Sequence, residues 1–203
     1  MNLWAVIPVK PLKRLRVDHN NSLSDNEWSK LNTGMLESII CAIRNVNGVK
    51  EILVVSRDTY LLSIARDLNV KTLQEDSGSD INIALMRAAT VASMYKSHSL
   101  LVLAADLPLI TTEDVEKFIH ISTKQPEMVI APDRRNIGTN AIFLNPLELE
   151  YRFQFGGNSF DKHLSEAQRL QYQISISDLK SLKIDIDSPE DFEWIKEQYL
   201  KSI

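Results

Sequence analysis

Leu100-Leu101-Val102-Leu103-Ala104-Ala105-Asp106-Leu107-Pro108 contains the most apolar run of the chain and delivers an aspartate to a turn. A short continuous apolar run reads as a strand buried on both faces, as in parallel sheets covered by helices. A second such run, Leu3-Trp4-Ala5-Val6-Ile7-Pro8-Val9, opens the sequence, and Pro8 belongs at its end because proline cannot donate to a ladder. Working outward, β-branched or Leu-rich runs at 51–55 and 70–73 alternate with helical periodicity at 31–46, 58–68 and 81–95. Leu31, Met35, Ile39, Ala42, Ile43 and Val46 form the first apolar stripe, Asn47-Gly48 stops it, and Asp80 is a cap for the third helix. A helix over 112–121 carries Glu113 and Asp114 in its first turn, where the helix dipole favours acid. Strands at 128–131 and 141–144 are joined through 133–140, and a helix runs from the glycine-containing loop 155–159 to about Leu170. Strands at 172–176 and 182–186 precede a last helix, with Ser188 as cap, Pro189 at the first helical position and Asp191 completing a capping-box-like pattern. This alternation predicts one three-layer αβα domain over 1–203 with a mostly parallel sheet, whose ligands lie beyond the carboxyl ends of the strands.

The composition fits that architecture. Of 203 residues 44% are hydrophobic and 25% charged, enough for a sizeable core and unlike disordered or collagenous chains. No apolar run approaches a membrane span, and the start lacks the basic residues of a signal peptide, so a cytoplasmic protein is expected. Cys41 is the only cysteine, which excludes an intrachain disulfide; set among Ile39, Ile40, Ala42 and Ile43, it is expected to fill the core. A net charge of −4 offers no global field for a polyanion, so no nucleic-acid partner is expected. The chain has no coiled-coil heptads, and a homodimer would use an ordinary sheet or helix face.

Four segments fall where chemistry is expected. Asp106 sits at a strand end, where it can offer a carboxylate to a hard cation such as Mg²⁺ or simply start a turn. Lys183-Ile184-Asp185-Ile186-Asp187, read as a strand, puts Asp185 and Asp187 on one face; alone, the segment reads as well as an exposed strand entering a helix. In Asp133-Arg134-Arg135-Asn136-Ile137-Gly138-Thr139-Asn140, Gly138 allows close backbone approach and Thr139 and Asn140 bring a hydroxyl and an amide, against the alternative of a plain polar loop. Gly156-Gly157-Asn158-Ser159 precedes a helix N-terminus, which can bind an anion or merely be capped by Asn158 or Ser159. A basic cluster, Lys10, Lys13, Arg14 and Arg16, follows the first strand and suits either a triphosphate or a solvated loop. Ser159 and His163, four apart on one helix, admit a nucleophile and base reading, but no third orienting group is visible.

Ile7-Pro8-Val9-Lys10-Pro11-Leu12, Ala105-Asp106-Leu107-Pro108-Leu109, Ala131-Pro132-Asp133-Arg134 with Gly138-Thr139-Asn140-Ala141, Phe155-Gly156 with Ser159-Phe160 and His163, and Asp185-Ile186-Asp187-Ser188-Pro189-Glu190-Asp191 occur in order across nearly the whole chain. This series resembles the 2-phospho-L-lactate guanylyltransferase family, which includes phosphoenolpyruvate and 3-phosphoglycerate guanylyltransferases and serves the synthesis of the deazaflavin coenzyme F-420. The resemblance implies a GT-A-like nucleotidyltransferase fold and the joining of GMP from GTP to a phosphorylated three-carbon acid, with release of pyrophosphate. It implies Asp106 and Asp185 as ligands of Mg²⁺, Thr139, Gly156 and Ser159 as the hold on the phospho-acid, and Lys10, Arg14 and Arg16 facing the GTP phosphates. The stretch 75–84, with Glu75, Gly78 and Asn82, resembles the family segment that meets the guanine base. One departure stands out: the family's Lys-Ser-Arg-Leu after the first strand is replaced by Arg16-Val17-Asp18-His19, which sets an acid where an arginine belongs. Two alternatives stay open: another nucleotidyltransferase acting on molybdopterin or a sugar phosphate, or a nucleotide-binding protein weakened in catalysis. Against the first, no glycine stands between the opening strand and Gly34.

Overall fold

In the computed structural model, which describes residues 2–10, 25–76, 78, 80–121, 125–186, 191 and 193–195, seven strands pair into one sheet. They are β1 (Leu3–Val9), β2 (Val49–Ser56), β3 (Lys71–Gln74), β4 (Ser99–Leu103), β5 (Glu127–Pro132), β6 (Thr139–Asn145) and β7 (Gln173–Ile176). Their order across the sheet is β3-β2-β1-β4-β6-β5-β7. Only β6 runs against its neighbours β4 and β5; the other pairings are parallel, so the sheet is mostly parallel as expected. The helices are α1 (Asp25–Arg44), α2 (Thr59–Asp67), α3 (Ile81–Met94), α4 (Thr112–Ile119), α5 (Ser159–Arg169) and the single turn α6 (Lys180–Lys183).

The period-two alternation of the buried strands divides the core into two layers. Leu3, Ala5, Ile7, Leu101 and Leu103 face Ile39, Ile43, Leu61 and Phe118, from α1, α2 and α4. Trp4, Val6, Leu100 and Val102 face Leu85, Ala88 and Ala167, from α3 and α5. Helix starts follow their capping chemistry. Asp58 accepts from the amides of Tyr60 and Leu61 at 2.9 and 3.3 Å, Asp80 accepts from Asn82 N at 3.1 Å, and Thr111 forms a reciprocal capping box with Asp114.

Two expectations are corrected. Cys41 is exposed rather than core filler; α1 turns Ile39, Ile40 and Ile43 inward, and at 100° per residue the position between them faces out. The stretch 182–186 is not a strand. Asp178 pairs with Lys183, Leu179 N donates to Ser177 Oγ at 3.3 Å, and these local bonds wind α6 before the chain extends again at Ile184. The face-sharing argument for Asp185 and Asp187 therefore lapses, and Asp187, Ser188, Pro189 and Glu190 lie outside the described residues. Among the described residues, no helix is long and apolar enough to cross a membrane.

The chain after β7 crosses the carboxyl edge of the sheet as a strap. Ser177 N donates to Ile130 O at 2.8 Å and Ile186 N donates to Asp106 O at 3.0 Å. Between them the buried Asn140 donates its amide to Leu182 O at 3.0 Å, while Ala104 N donates to Asn140 O at 2.9 Å. Asn140, expected as a ligand-facing amide, is thus the rivet of the strap. Replacing it by alanine leaves Leu182 O without that donor, and urea unfolding should show a loss of about 1–3 kcal/mol.

Candidate active site

The carboxyl ends of β1, β2, β3 and β4 share one edge, and because β6 runs the other way its first residue lies there too. Lys10 follows β1 and Asp106 follows β4, its immediate neighbour; Lys10 Nζ lies 3.8 Å from Asp106 Oδ2. The lysine side chain is 69% exposed and the aspartate 22%, so the carboxylate is held by the fold while the ammonium reaches over it from solvent. The bond from Ile186 N to Asp106 O ties the segment that carries the half-buried Asp185 to the backbone of Asp106. Lys10 and Asp106, from the two central strands, thus meet at the edge, and the segment that carries Asp185 is bonded to the same strand end. Arg14 and Arg16, like Lys13 and Asp18, lie outside the described residues.

On the β2–β3 side, Glu75 N donates to Ser56 O at 3.0 Å, and the buried Glu75 carboxylate accepts from Arg57 Nε at 2.9 Å. Asn82, in the first turn of α3, has a different occupation. Its Nδ2 donates to Phe155 O at 3.1 Å and to Asp80 Oδ1 at 3.0 Å, and its Oδ1 accepts from Phe155 N at 2.7 Å. Its amide is the clamp that joins the stretch 75–84 to the loop bearing Gly156.

The turn before Thr139 is built around Asp133. Asp133 Oδ1 accepts from Arg135 N at 3.1 Å and Ile137 N at 2.9 Å, Asp133 O accepts from Asn136 N at 3.1 Å, and Asp133 N donates to Gly138 O at 3.2 Å. A Cβ on Gly138 would stand 2.9 Å from Asp133 Oδ2 and 3.3 Å from its Cγ, so glycine is needed for this close approach. Arg134, from the same turn, pairs with the buried Asp191 and lies over the Trp194 ring at 5.8 Å.

Three side chains rack the extended segment that leads to Gly156, each taking a backbone amide. Glu166 Oε1 accepts from Arg152 N at 2.9 Å, His163 Nε2 from Gln154 N at 2.9 Å, and Asn82 Oδ1 from Phe155 N at 2.7 Å. The chain then turns at Gly156, whose φ of +118° L side chains rarely adopt, and at Asn158 in the left-handed region, with Ser159 N donating to Gly156 O at 3.1 Å. Asn158 is the N-cap position but makes no side-chain cap bond. Among the described residues, the exposed amides of Gly157 and Asn158 meet no acceptor. An amide pair at the start of a helix favours an anion.

Ser159 and His163 do not form a nucleophile and base. Ser159 Oγ donates to Thr139 Oγ1 at 3.2 Å, His163 Nδ1 stands 3.1 Å from the same oxygen, and His163 Nε2 is taken by Gln154 N. Burial pushes the His163 pKa down to about 4, partly countered by Glu166, so the ring is neutral at neutral pH. The hydrogen bond from Arg169 holds Glu166 below the usual carboxylate range, assisted by Arg152 N. Sequence reading missed the structural work of His163, Glu166 and Asn82. The signal available was a histidine and a glutamate at i, i+3 on the inner face of an amphipathic helix, where buried polar groups must find partners.

His163 has a consequence for stability. The unfolded imidazole takes a proton at its ordinary pKa, whereas the folded one resists until about 4, so stability falls as pH drops through that window. Between about pH 7 and pH 5 the unfolding free energy should drop by about 2 kcal/mol from this group, and the His163→Gln variant should lose that part of the slope in urea melts at the two pH values.

Comparison with known proteins shows what the whole chain is similar to. A phosphoenolpyruvate guanylyltransferase of Rubrobacter xylanophilus is 35% identical over 191 residues, covering 94% of this chain and 92% of that protein. A 2-phospho-L-lactate guanylyltransferase of Methanocaldococcus vulcanius is 34% identical over 211 residues, with 98% and 90% covered. Among solved structures, a nucleotidyl transferase from Methanothermobacter matches with a TM-score of 0.67 at 15% identity, over 99% of each chain, which shows a shared fold and bears out the nucleotidyltransferase architecture. The family model described as guanylyl transferase CofC like matches residues 3–196, so the chain belongs to the CofC-like guanylyl transferase family.

Proposed function

We propose that this protein transfers GMP from GTP to a phosphorylated three-carbon acid, 2-phospho-L-lactate or phosphoenolpyruvate, with 3-phosphoglycerate the third candidate, on the route to the deazaflavin coenzyme F-420. The observation that carries the reading is the meeting of Lys10 and Asp106 at the carboxyl edge of the sheet, with the segment bearing Asp185 bonded to the Asp106 backbone, in a chain of this family. Two anions must approach each other in this reaction, and a cluster holding both hard carboxylate donors and a cation is suited to that problem.

The donor set fits a divalent ion: two half-buried carboxylates, one at a strand end and one on a strap bonded to that strand end, are hard oxygen ligands on rigid support. Asp106 and Asp185 would hold Mg²⁺, which when bound supplies charge neutralisation between the phosphates of the two substrates. Lys10, with its reach and exposure, faces the triphosphate and offsets charge on the departing pyrophosphate. A phosphate oxygen of the acid forms the new bond to the α-phosphorus of GTP, and the bond from that phosphorus to the bridging oxygen of pyrophosphate breaks. The attacking phosphate is already ionised, so no side chain has to remove a proton, in keeping with a neutral His163 whose two nitrogens are both occupied.

The acid's two anionic groups need fixed donors. The Thr139 and Ser159 hydroxyls and the amides after Gly156 lie together at the edge, bound to one another through the 3.2 Å bond of the hydroxyls and the turn at Gly156. Glu75, on the β2–β3 side, belongs in this reading to the nucleotide half, with Arg57 fixing its carboxylate. Asn82 serves the nucleotide half through its position at the start of α3, its side chain being given to Phe155.

Pyrophosphate release should require GTP, Mg²⁺ and one of the three acids together, and should fall away with ATP; absence of release with all three acids from folded protein would falsify the reading. Asp106→Asn and Asp185→Asn should each lower kcat by at least about a thousandfold while leaving the thermal melt nearly unchanged, since each removes charge and little volume. Retained activity in either variant takes that carboxylate out of the site.

A further inference from the structure

His163 stands out as a buried, titratable side chain that the transfer reaction does not use. It has no solvent exposure, lies against Phe155 edge-on with ring centroids 4.8 Å apart, and is stacked at 6.3 Å on Tyr151. Both nitrogens face partners of defined or definable polarity. A backbone N–H can only donate, so the bond from Gln154 N at 2.9 Å requires a lone pair on Nε2. The single hydrogen of the neutral ring then sits on Nδ1, and it donates to Thr139 Oγ1 at 3.1 Å.

The hydrogens of the neighbouring hydroxyls can now be counted. Thr139 and Ser159 carry one each, and the 3.2 Å bond between their oxygens uses one of the two. Were Nδ1 an acceptor, it would absorb the other, and the pair would show only lone pairs to the edge of the sheet. Because Nδ1 is a donor, it delivers a third hydrogen to a pair of oxygens that needs only one between them. One hydroxyl hydrogen is left without an acceptor inside the cluster, and both hydroxyls are at least nine-tenths buried, so bulk water does not freely absorb it.

We propose that His163 is a positioning residue for the phospho-acid: by donating to Thr139 it obliges the Thr139–Ser159 pair to present one hydroxyl hydrogen to an anionic oxygen of the bound acid. This rests on the reading of Thr139 and Ser159 as ligands of that acid. The mechanism needs no proton transfer. The backbone of Gln154 sets the tautomer, the tautomer sets the direction of the Thr139 bond, and that direction decides whether the site shows the acid a donor or a repelling lone pair. The aromatic contacts from Phe155 and Tyr151 hold the ring against rotation, which would put carbons where its nitrogens meet Thr139 and Gln154. The same helix turn holds Glu166 on Arg152 N, so the segment that fixes the tautomer is itself anchored.

Two substitutions separate the donor from the acceptor. Glutamine at this position places its oxygen near the site of Nε2, keeping the partner of Gln154 N and withdrawing the donor to Thr139; asparagine places its nitrogen near Nδ1, keeping that donor and losing the partner of Gln154 N. In calorimetric titrations of the whole protein with phosphoenolpyruvate, 2-phospho-L-lactate and 3-phosphoglycerate, His163→Gln should weaken binding of the preferred acid by roughly ten- to a hundredfold, the scale of one hydrogen bond to a charged group. GTP affinity should stay within about twofold, and His163→Asn should recover most of the loss in acid affinity even where its thermal melt is lower. Unchanged acid affinity in His163→Gln, or equal losses for acid and GTP, overturns the proposal. Nitrogen-15 NMR of the unmodified protein near neutral pH gives a readout independent of any variant's folding: hydrogen on Nδ1 is required, and hydrogen on Nε2 refutes it. Thr139→Val distinguishes the level of failure. If the tautomer is as stated but this variant binds the acids as before, the reading of Thr139 as a ligand fails and the role of His163 toward the acid fails with it.

Discussion

The backbone bond from Ile186 N to Asp106 O is the constraint on which the site depends. Asp106 needs no help to reach the edge, because β4 is buried along its whole length and ends there. Asp185 has no such strand. It arrives on a segment that crosses the edge, and that segment is placed by bonds to three strands in succession: Ser177 to β5, Asn140 of β6 to Leu182, and Ile186 to the end of β4. The bonds that place this segment are neutral backbone and amide bonds, so its position does not depend on the acids themselves. The ammonium of Lys10 then lies over Asp106 without being required to hold it.

A second assembly holds the loop that leads to Gly156. Glu166, His163 and Asn82 each capture one amide of the segment running from Arg152 to Phe155, and that segment ends in the Gly156 turn. An extended loop with unpaired amides would be free to move, and its N–H groups would cost free energy if buried unpaired. Capturing them from α5 and α3 resolves both difficulties at once. It also couples the two halves of the edge, since Asn82 belongs to the helix that starts next to the Glu75 stretch and grips the loop that carries Gly156.

Much of this was legible in the residues, and the parts that were not share a cause. Continuous apolar runs gave the buried strands, Asp58 and Asp80 gave helix starts, Glu113 and Asp114 marked the first turn of α4, and the position of Asp106 after β4 follows from hydrophobicity alone. The stretch 182–186 misled because Leu182, Ile184 and Ile186 alternate as a half-buried strand would, while the bonds that wind α6 come from Asp178 and Ser177, just before it. Cys41 misled because apolar neighbours in sequence are not neighbours on a helix surface. Asn140 misled in a subtler way: an amide beside a glycine looks like a ligand contact, and whether it meets a ligand or the protein's own backbone depends on partners distant in the chain.

The separation of fold from site also explains why the sheet resembles that of a nucleotidyl transferase with which the chain shares only 15% identity. A parallel sheet covered on both faces asks of its strands only that they be apolar and β-branched, which many sequences satisfy. The edge asks for more. Gly138 must lack a side chain because Asp133 folds back to within 2.9 Å of where a Cβ would be, Gly156 must adopt a φ of +118°, and Gln154 must offer its amide to a ring whose other nitrogen meets Thr139. The two glycine positions are set by geometry and not by hydrophobicity, while the bond from Gln154 asks only for a backbone N–H and for the histidine that accepts it.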